Sequence, residues 1–186
     1  RLVKKAYKGD RTIGVLVQAN NSKEEPTPDD LYKIGTVAHI VKMFVLPGGN
    51  TTIIVQGRKR FEVSEYIKTE PNLLARVSYI EDTFPKKLNK ENRALVSTLK
   101  ECALKILNLN PEIPREAQIA LDNIETSAFL VHFLSSNINA ELKEKQALLE
   151  TLDGIEQATH LLEHMLKEIQ HLELKREIQS KASSDI

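Results

Sequence analysis

Three histidines near the C-terminus have the residue type and spacing that could bind a metal ion. His160, His164 and His171 fall within about 40° of one another on a helical wheel, and the first two have the four-residue spacing of zinc-binding helices. No glutamate follows His160, as it would in a zinc protease, and no third ligand is anchored elsewhere. Their helical neighbours are charged: Glu156, Glu163, Lys167 and Glu168. The pattern therefore predicts a solvated polar face and no metal site.

The other candidate reactive side chains are also predicted to be structural. His132 lies in the most apolar helical segment, which favours a hydrogen-bonded histidine over a catalytic base. Cys102 falls on an apolar helix stripe, where burial raises the pKa of a thiol and makes it unreactive. No serine is framed as a nucleophile, and no glycine-rich loop ends in Gly-Lys-Ser/Thr. We expect no catalytic, cofactor-binding or metal-binding residue in this chain.

Charge and composition argue against several other classes of function. The basic triplet Arg58-Lys59-Arg60 resembles a phosphate site, but successive strand residues point to opposite faces, so we expect Arg60 to anchor a turn through a carboxylate or carbonyl. Lys plus Arg equals Asp plus Glu, at 26 each, so a nucleic-acid or anionic membrane partner is not indicated. A single cysteine suits a reducing compartment, and no apolar run approaches the ~20 residues of a membrane span.

The first half of the chain has the pattern of a small antiparallel sheet. A hairpin is predicted with strands Thr36–Leu46 and Thr51–Gln56, because Pro47-Gly48-Gly49-Asn50 interrupts two β-branched runs and glycine tolerates positive φ. A third strand is predicted at Arg60–Tyr66 and two more flank the hairpin, at Thr12–Gln18, predicted to be buried, and Leu73–Glu81. About five strands in eighty residues predict a small barrel or sandwich. A helix end is expected before Gly9 and a helical turn at Thr27–Asp30.

From Asn89 onwards the pattern is helical. A helix of about five turns should bury one stripe, Pro114 should open the next helix, and Thr126–Ser136 should form the buried centre of a bundle. Asn139 is expected to cap a fourth helix, and Asp153 the last. The stripe of the first helix is Leu95, Leu99, Cys102, Ile106 and Leu109.

The last helix carries a heptad seam that ends before the helix does. Arg176 and Gln179 occupy the next two seam positions, so the helix should pack as far as Leu172 and need a neighbour beyond it. The apolar seam positions are Ile155, Ala158, Leu162, Met165, Ile169 and Leu172.

Two segments resemble one known family. Gly35-Thr36-Val37-Ala38 with Ile40, followed by Val55-Gln56-Gly57 and Arg60, resembles the recurring pattern of the N-terminal domain of the Lon ATP-dependent proteases, and Leu172–Ala182 resembles the helix that leads from it to the ATPase. The resemblance implies an α+β fold: a PUA-like antiparallel β pseudo-barrel over residues 1–85, a helical bundle over 86–152, and a long protruding helix over 153–186 leading towards an absent ATPase module. It makes Gly35, Thr36, Gly57 and Arg60 structural motif residues.

The same resemblance implies a function for the parent protein. It would be an ATP-dependent serine endopeptidase that degrades damaged, misfolded and regulatory proteins, and this chain would be its region for substrate recognition and assembly. The parent would be a homo-hexamer with its own ATPase and protease modules, using ATP and magnesium, in the bacterial cytoplasm or alternatively the mitochondrial matrix. The chain begins at Arg1 without methionine, so we expect a piece of a longer protein. The resemblance also implies one or two strands before Arg1, whose absence would leave a sheet edge open.

The hairpin tip is the candidate surface for binding unfolded substrates. Met43, Phe44, Leu46 and Pro47 are more apolar than one buried strand face requires, and a receptor for unfolded chains must expose apolar surface. The alternative is that these side chains fill the barrel core. Two other function classes stay open: a PUA-like nucleic-acid-binding module, and a cereblon-like ligand or substrate receptor, although this sequence lacks the tryptophans of that family's pocket.

Overall fold

The computed structural model describes residues 1–185, which form two compact units. The first unit is Arg1–Glu81 and the second begins at Asp82. The first unit contains helix α1, a short 3₁₀ turn and four strands; their bounds are α1 Leu2–Lys8, β1 Thr12–Val15, the 3₁₀ turn Pro28–Asp30, β2 Ile34–Val45, β3 Thr51–Lys68 and β4 Leu74–Ile80. The second contains five helices in its described part: α2 Lys90–Leu109, α3 Glu116–Asp122, α4 Ser127–Asn137, α5 Leu142–Glu150 and α6 Gly154–Ser184.

The strands form one antiparallel sheet in the order β1-β2-β3-β4, which confirms the mixed α+β class. The predicted strand count was wrong, because Thr51–Gln56 and Arg60–Tyr66 belong to one continuous strand, β3. Val37 pairs with Lys59 while Ala38 pairs with Gly57, so Arg58 is the extra residue of a β-bulge. A bulge bends a strand without ending it.

The first strand is also shorter and more exposed than its sequence predicted. β1 ends at Val15, whose side chain is 44% exposed, and Gln18 forms only an isolated bridge with Leu31. The predicted glycine turn is confirmed: Gly48 and Gly49 have φ of +103° and +88°, and the Leu46 N–H donates to the Asn50 carbonyl at 2.7 Å. Consecutive residues with positive φ favour glycine.

A buried carboxylate organises the loop before β2. Asp30 accepts hydrogen bonds from the Thr27 N–H at 2.8 Å and the Thr27 hydroxyl at 2.9 Å, and Lys23 Nζ lies 3.0 Å from its other oxygen. The Thr27 backbone bond, followed by Lys23 and the Thr27 hydroxyl, lowers the pKa of Asp30 below its ordinary value of 3.8. These bonds favour the charged form, so the loop is held by an ionised Asp30.

Replacing Asp30 by asparagine should remove part of the acid sensitivity of the first unit. With a lowered folded-state pKa, the contribution of Asp30 is present above pH 3.8 and is lost as the pH falls through the folded-state pKa. We expect the free energy of unfolding of Asp30→Asn to change less than that of the wild type between about pH 5 and pH 2.5. Urea titrations across this range measure it; parallel curves for the two proteins would contradict the assignment.

Two helices of the second unit begin at other residues than their sequence predicted. α3 begins at Glu116 after Arg115, so Pro114 precedes the helix and does not open it. α5 is capped by Glu141 in a reciprocal arrangement with Glu144, and Asn139 is not its cap, because a carboxylate reaches the free amide groups of the first turn. At the start of α6 the Asp153 side chain accepts from the Glu156 N–H at 2.9 Å, as predicted.

The hydrophobic core of the second unit lies between α2, α4 and α6, and some side chains that were predicted to be buried in it are not. Phe129 of α4 is 54% exposed and stacks on Phe133 at 6.4 Å, so α4 buries one face and not its whole circumference. In α6, Leu161 is fully buried whereas the predicted seam residue Leu162 is only half-buried. The buried apolar side chains of this core are Leu99, Cys102, Ala103, Ile106, Leu121, Leu130, Val131, Leu134, Ile138, Leu148, Ala158, Leu161, Met165 and Ile169.

Helix α6 extends well beyond its packed part. Its 31 residues correspond to about 46 Å. Leu172 is half-buried, Glu173 forms an ion pair with Lys105 of α2 at 2.8 Å, and every residue from Glu173 to Asp185 is exposed. Leu174 and Ile178 are 55% and 59% exposed. The end of the apolar contacts at Leu172 therefore agrees with the sequence pattern.

Candidate functional site

The β2–β3 hairpin presents apolar side chains on both of its faces near the turn. Met43 lies opposite Ile53 on one face, whereas Lys42 lies opposite Ile54 on the other, the face that Phe44 shares. We call the apolar side chains of this region the hairpin surface; they are Val41, Met43, Phe44, Val45, Leu46, Pro47, Ile53, Ile54 and Val55.

Most of the hairpin surface is open to solvent. Phe44 is 40% exposed, Val45 58% and Ile54 50%, while Met43 and Ile53 are half-buried. By contrast, the buried hydrophobic core described for this unit consists of Ala38, Ile40 and Phe61. Phe44 and Leu46 therefore do not fill a barrel core.

Sheet coverage differs between the two ends of the hairpin. Far from the turn, the side chains of the adjacent residues Arg60 and Phe61 lie on opposite faces of the sheet. Both are buried, so both faces of the sheet are covered there. Near the turn, the adjacent residues Phe44 and Val45 are both exposed, so neither face is covered.

The sequence pattern predicted Met43, Phe44, Leu46 and Pro47 as exposed apolar residues but missed Val41, Val45, Ile54 and Val55. The signal for Ile54 and Val55 was the second apolar run, Thr51–Gln56, whereas Val41 and Val45 belong to the first run, Thr36–Leu46.

The four motif residues lie together where β1, β2 and β3 meet. Gly35 is buried and opposite Phe61, Thr36 is opposite Arg60, and Gly57 adjoins the bulge. A Cβ atom on Gly35 would lie 2.1 Å from the Val15 carbonyl oxygen, so only glycine allows β1 and β2 this close approach. Gly35 therefore sets the spacing between β1 and β2 at the base of the hairpin.

The histidines of α6 are less solvated than their sequence predicted. His160 and His164 are half-buried and line a shallow cavity of about 340 Å³ with residues of α5, while His171 is exposed. The prediction was wrong for the first two because α5 packs on that side of α6. Within residues 1–185, no three His, Cys, Asp or Glu side chains come together as a metal site.

The two remaining candidates have structural surroundings. His132 Nε2 lies 3.5 Å from Asp82 Oδ2, and both side chains are partly exposed. Cys102 is buried in the helical core; burial raises the pKa of its thiol and the nearby Glu101 raises it further, as predicted. None of the helices in the described chain has the length and apolarity needed to cross a bilayer.

The fold and the exposed hairpin together define a class: a mixed α+β module with an antiparallel sheet that carries an exposed apolar hairpin, followed by a helical unit that ends in a long helix. Residues 1–167 match the family model described as the ATP-dependent protease La (LON) substrate-binding domain. The chain therefore belongs to the Lon substrate-binding domain family.

Relatives and solved structures agree with this assignment. The Lon protease of Cytophaga hutchinsonii is 59% identical and that of Flavobacterium johnsoniae 42% identical, each across 100% of this chain and 23% of the relative. The chain thus spans about a quarter of the length of these proteases. The Lon N-terminal domain protein of Xanthomonas campestris has a TM-score of 0.58 at 19% identity, covering 87% of this chain and 80% of that one. The N-terminal domain of the Mycobacterium avium complex Lon protease has a TM-score of 0.59 at 20% identity, covering 82% and 89%.

Proposed function

We propose that this chain is the substrate-recognition and assembly region of an ATP-dependent serine protease of the Lon type, and that its hairpin surface contacts damaged, misfolded and regulatory substrates. The observation that carries the proposal is the exposure of apolar side chains on both faces of the hairpin, from Phe44 at 40% to Val45 at 58%. An unfolded chain offers apolar residues that are buried in its native state. Covering such residues contributes about 25 cal/mol per Å² of apolar area removed from water.

The other parts of the proposal concern the parent protein. ATP and magnesium would be bound outside this chain, since the sequence contains no Gly-Lys-Ser/Thr phosphate loop. The exposed end of α6, with Leu174 and Ile178 uncovered, supports contact with the ATPase module or a neighbouring subunit of a homo-hexamer. The bacterial relatives support the bacterial cytoplasm as its location. We also propose that the chain divides by role into the β-rich domain of residues 1–85, the helical bundle of 86–152 and the long helix of 153–186 that leads to the ATPase module.

Site-specific crosslinking tests the recognition role. A photoreactive phenylalanine analogue placed at Phe44 should form adducts with a permanently unfolded protein, such as reduced and alkylated α-lactalbumin. The matched control places the same analogue at Ile119 of α3, an apolar side chain that is 61% exposed and outside the hairpin. Adducts from position 119 without adducts from position 44 would contradict the assignment of the hairpin.

Polar substitutions on one face of the hairpin should weaken binding without unfolding the protein. Phe44 and Ile54 lie on the same face, and covering roughly 100 Å² of their surface contributes about 2.5 kcal/mol before the entropy costs of binding. We therefore expect Phe44→Ser with Ile54→Ser to weaken binding of the unfolded protein at least ~10-fold.

The stability of this double variant serves as the control. Because Phe44 and Ile54 are each about half-buried, the two substitutions together should lower the free energy of unfolding by about 2 to 3 kcal/mol, and binding is compared under conditions in which tyrosine fluorescence shows that the variant is folded. Unchanged binding by a folded double variant would show that the hairpin is not the contact surface.

A further inference from the structure

Residues 34–61 of the hairpin carry positive charge and no acidic residue, whereas Glu62 and Glu65 lie further along β3. Residues 34–61 contain Lys42, Arg58, Lys59 and Arg60 but neither Asp nor Glu. The chain as a whole is neutral, but its two units carry opposite net charges. Arg1–Glu81 has 13 Lys and Arg against 9 Asp and Glu, and the second unit has an equal excess of acidic residues. The hairpin surface therefore lies in the unit whose net charge is positive.

Lys42 adjoins the hairpin surface directly, and Arg58 lies further along β3. Lys42 Nζ lies 5.1 Å from the centroid of the Phe44 ring, on the face that also carries Ile54. Arg58 is the exposed extra residue of the β-bulge on the partner strand. A segment bound across Phe44 and Ile54 would therefore pass close to Lys42.

Carboxylates of the described chain do not pair with Lys42, Arg58 or Lys59. Glu81 is the residue after Ile80, which pairs with Arg60 on β3. Lys59, the residue before Arg60, does not form an ion pair with this carboxylate; its Nζ lies over the Tyr79 ring, 5.8 Å from the ring centroid. The charges are therefore available to a ligand.

We propose that the hairpin selects apolar segments that also carry acidic residues and disfavours apolar segments rich in lysine or arginine. This inference rests on the proposed function and adds charge selectivity to it. A bound carboxylate beside Lys42 or Arg58 gains an ion pair, whereas a bound lysine meets like charge next to surface that is being removed from water. Because residues 34–61 contain no carboxylate, both effects favour an acidic segment over a basic one.

The experiment measures binding of three fluorescent peptides to the 186-residue chain by anisotropy. The peptides, of about 12 residues, share the same apolar residues and differ at the intervening positions, which are all Glu, all Ser or all Lys. At about 0.05 M salt the Glu peptide should bind about 10-fold more tightly than the Lys peptide, and the difference should fall below about twofold at about 0.5 M salt.

Two triple variants with the same change in net charge locate the effect. Lys42→Gln, Arg58→Gln and Lys59→Gln should abolish most of the discrimination while the Ser peptide still binds. Lys4→Gln, Lys5→Gln and Lys8→Gln remove three exposed charges from α1, in the same unit, and should preserve the discrimination. Equal loss in both variants would mean that net charge, and not the hairpin, determines the preference.

The outcomes separate this inference from the proposed function. If the Ser peptide binds and Phe44→Ser with Ile54→Ser abolishes its binding, but the Glu and Lys peptides bind equally, the function stands and the charge selectivity is wrong. If no peptide binds, both are wrong. A single-stranded oligonucleotide that binds more tightly than the Glu peptide, with undiminished affinity in the Phe44→Ser and Ile54→Ser variant, would make the surface a nucleic-acid site and overturn the inference.

Discussion

Replacing Gly35 by alanine should destabilise the sheet unit by about 3 kcal/mol or more. The new Cβ would lie 2.1 Å from the Val15 carbonyl oxygen and 2.7 Å from Leu16 Cδ2. The leucine side chain can rotate away, but the carbonyl belongs to β1, which pairs with β2 through Val15 and Thr36. The clash therefore separates the two strands.

The tyrosines make this loss measurable in one unit alone. Tyr7, Tyr32, Tyr66 and Tyr79 all lie in Arg1–Glu81 and the chain has no tryptophan, so tyrosine fluorescence during urea unfolding reports the sheet unit. Circular dichroism at the helical minimum is dominated by helices α2 to α6 of the second unit. We expect the fluorescence midpoint to fall and the helical midpoint to change little.

Gly57→Ala is the matched control. Gly57 is an exposed strand glycine near the same junction, and its added Cβ would meet only Thr36 Cγ2, at 3.2 Å. A methyl group of this kind can yield by a small rotation, so the change should stay within about 1 kcal/mol. Equal destabilisation by the two substitutions would show that the close approach of Val15 is not the reason for glycine at position 35.

The turns and caps of this fold were predictable from the sequence because they depend on neighbouring residues. Pro47 to Asn50 positioned the hairpin turn, and the Asp153 cap positioned the start of α6. The continuity of β3 was not predictable, because a glycine beside charged residues is typical of both a turn and a bulge. Pairing with β2 on both sides of Arg58 decides between them, and that pairing is a long-range contact.

The candidate site was only partly predictable for a related reason. Alternation showed that apolar side chains occupy both faces of the hairpin, and this pattern fits a strand buried on both faces as well as an exposed binding strand. The difference depends on what lies over each face. At Arg60 and Phe61 both faces are covered, and at Phe44 and Val45 neither is.

The seam of α6 shows a third limit of sequence reasoning. A strict heptad selects Leu162, but a straight α-helix drifts about 20° per heptad, so a helix that packs on several neighbours buries another set. The buried residues of α6 include Leu161 and also Gln157, whose amide Nε2 donates to the Leu148 carbonyl at 3.1 Å. A pattern that counts only apolar residues omits a buried glutamine of this kind.

Replacing Leu161 by alanine should therefore destabilise the helical unit far more than replacing Leu162. Leu161 is fully buried in the core with Leu99 and Met165, and truncating such a leucine costs about 3 to 4 kcal/mol, from lost transfer energy and the cavity that remains. Leu162 is half-buried, so Leu162→Ala should cost only about 1 to 1.5 kcal/mol. Urea unfolding followed by circular dichroism compares the two variants, with tyrosine fluorescence as the internal control that the sheet unit is unaffected. The reverse order of stability would mean that α6 packs through the heptad seam predicted from its sequence, because the two side chains differ by one position and leave the helix about 100° apart.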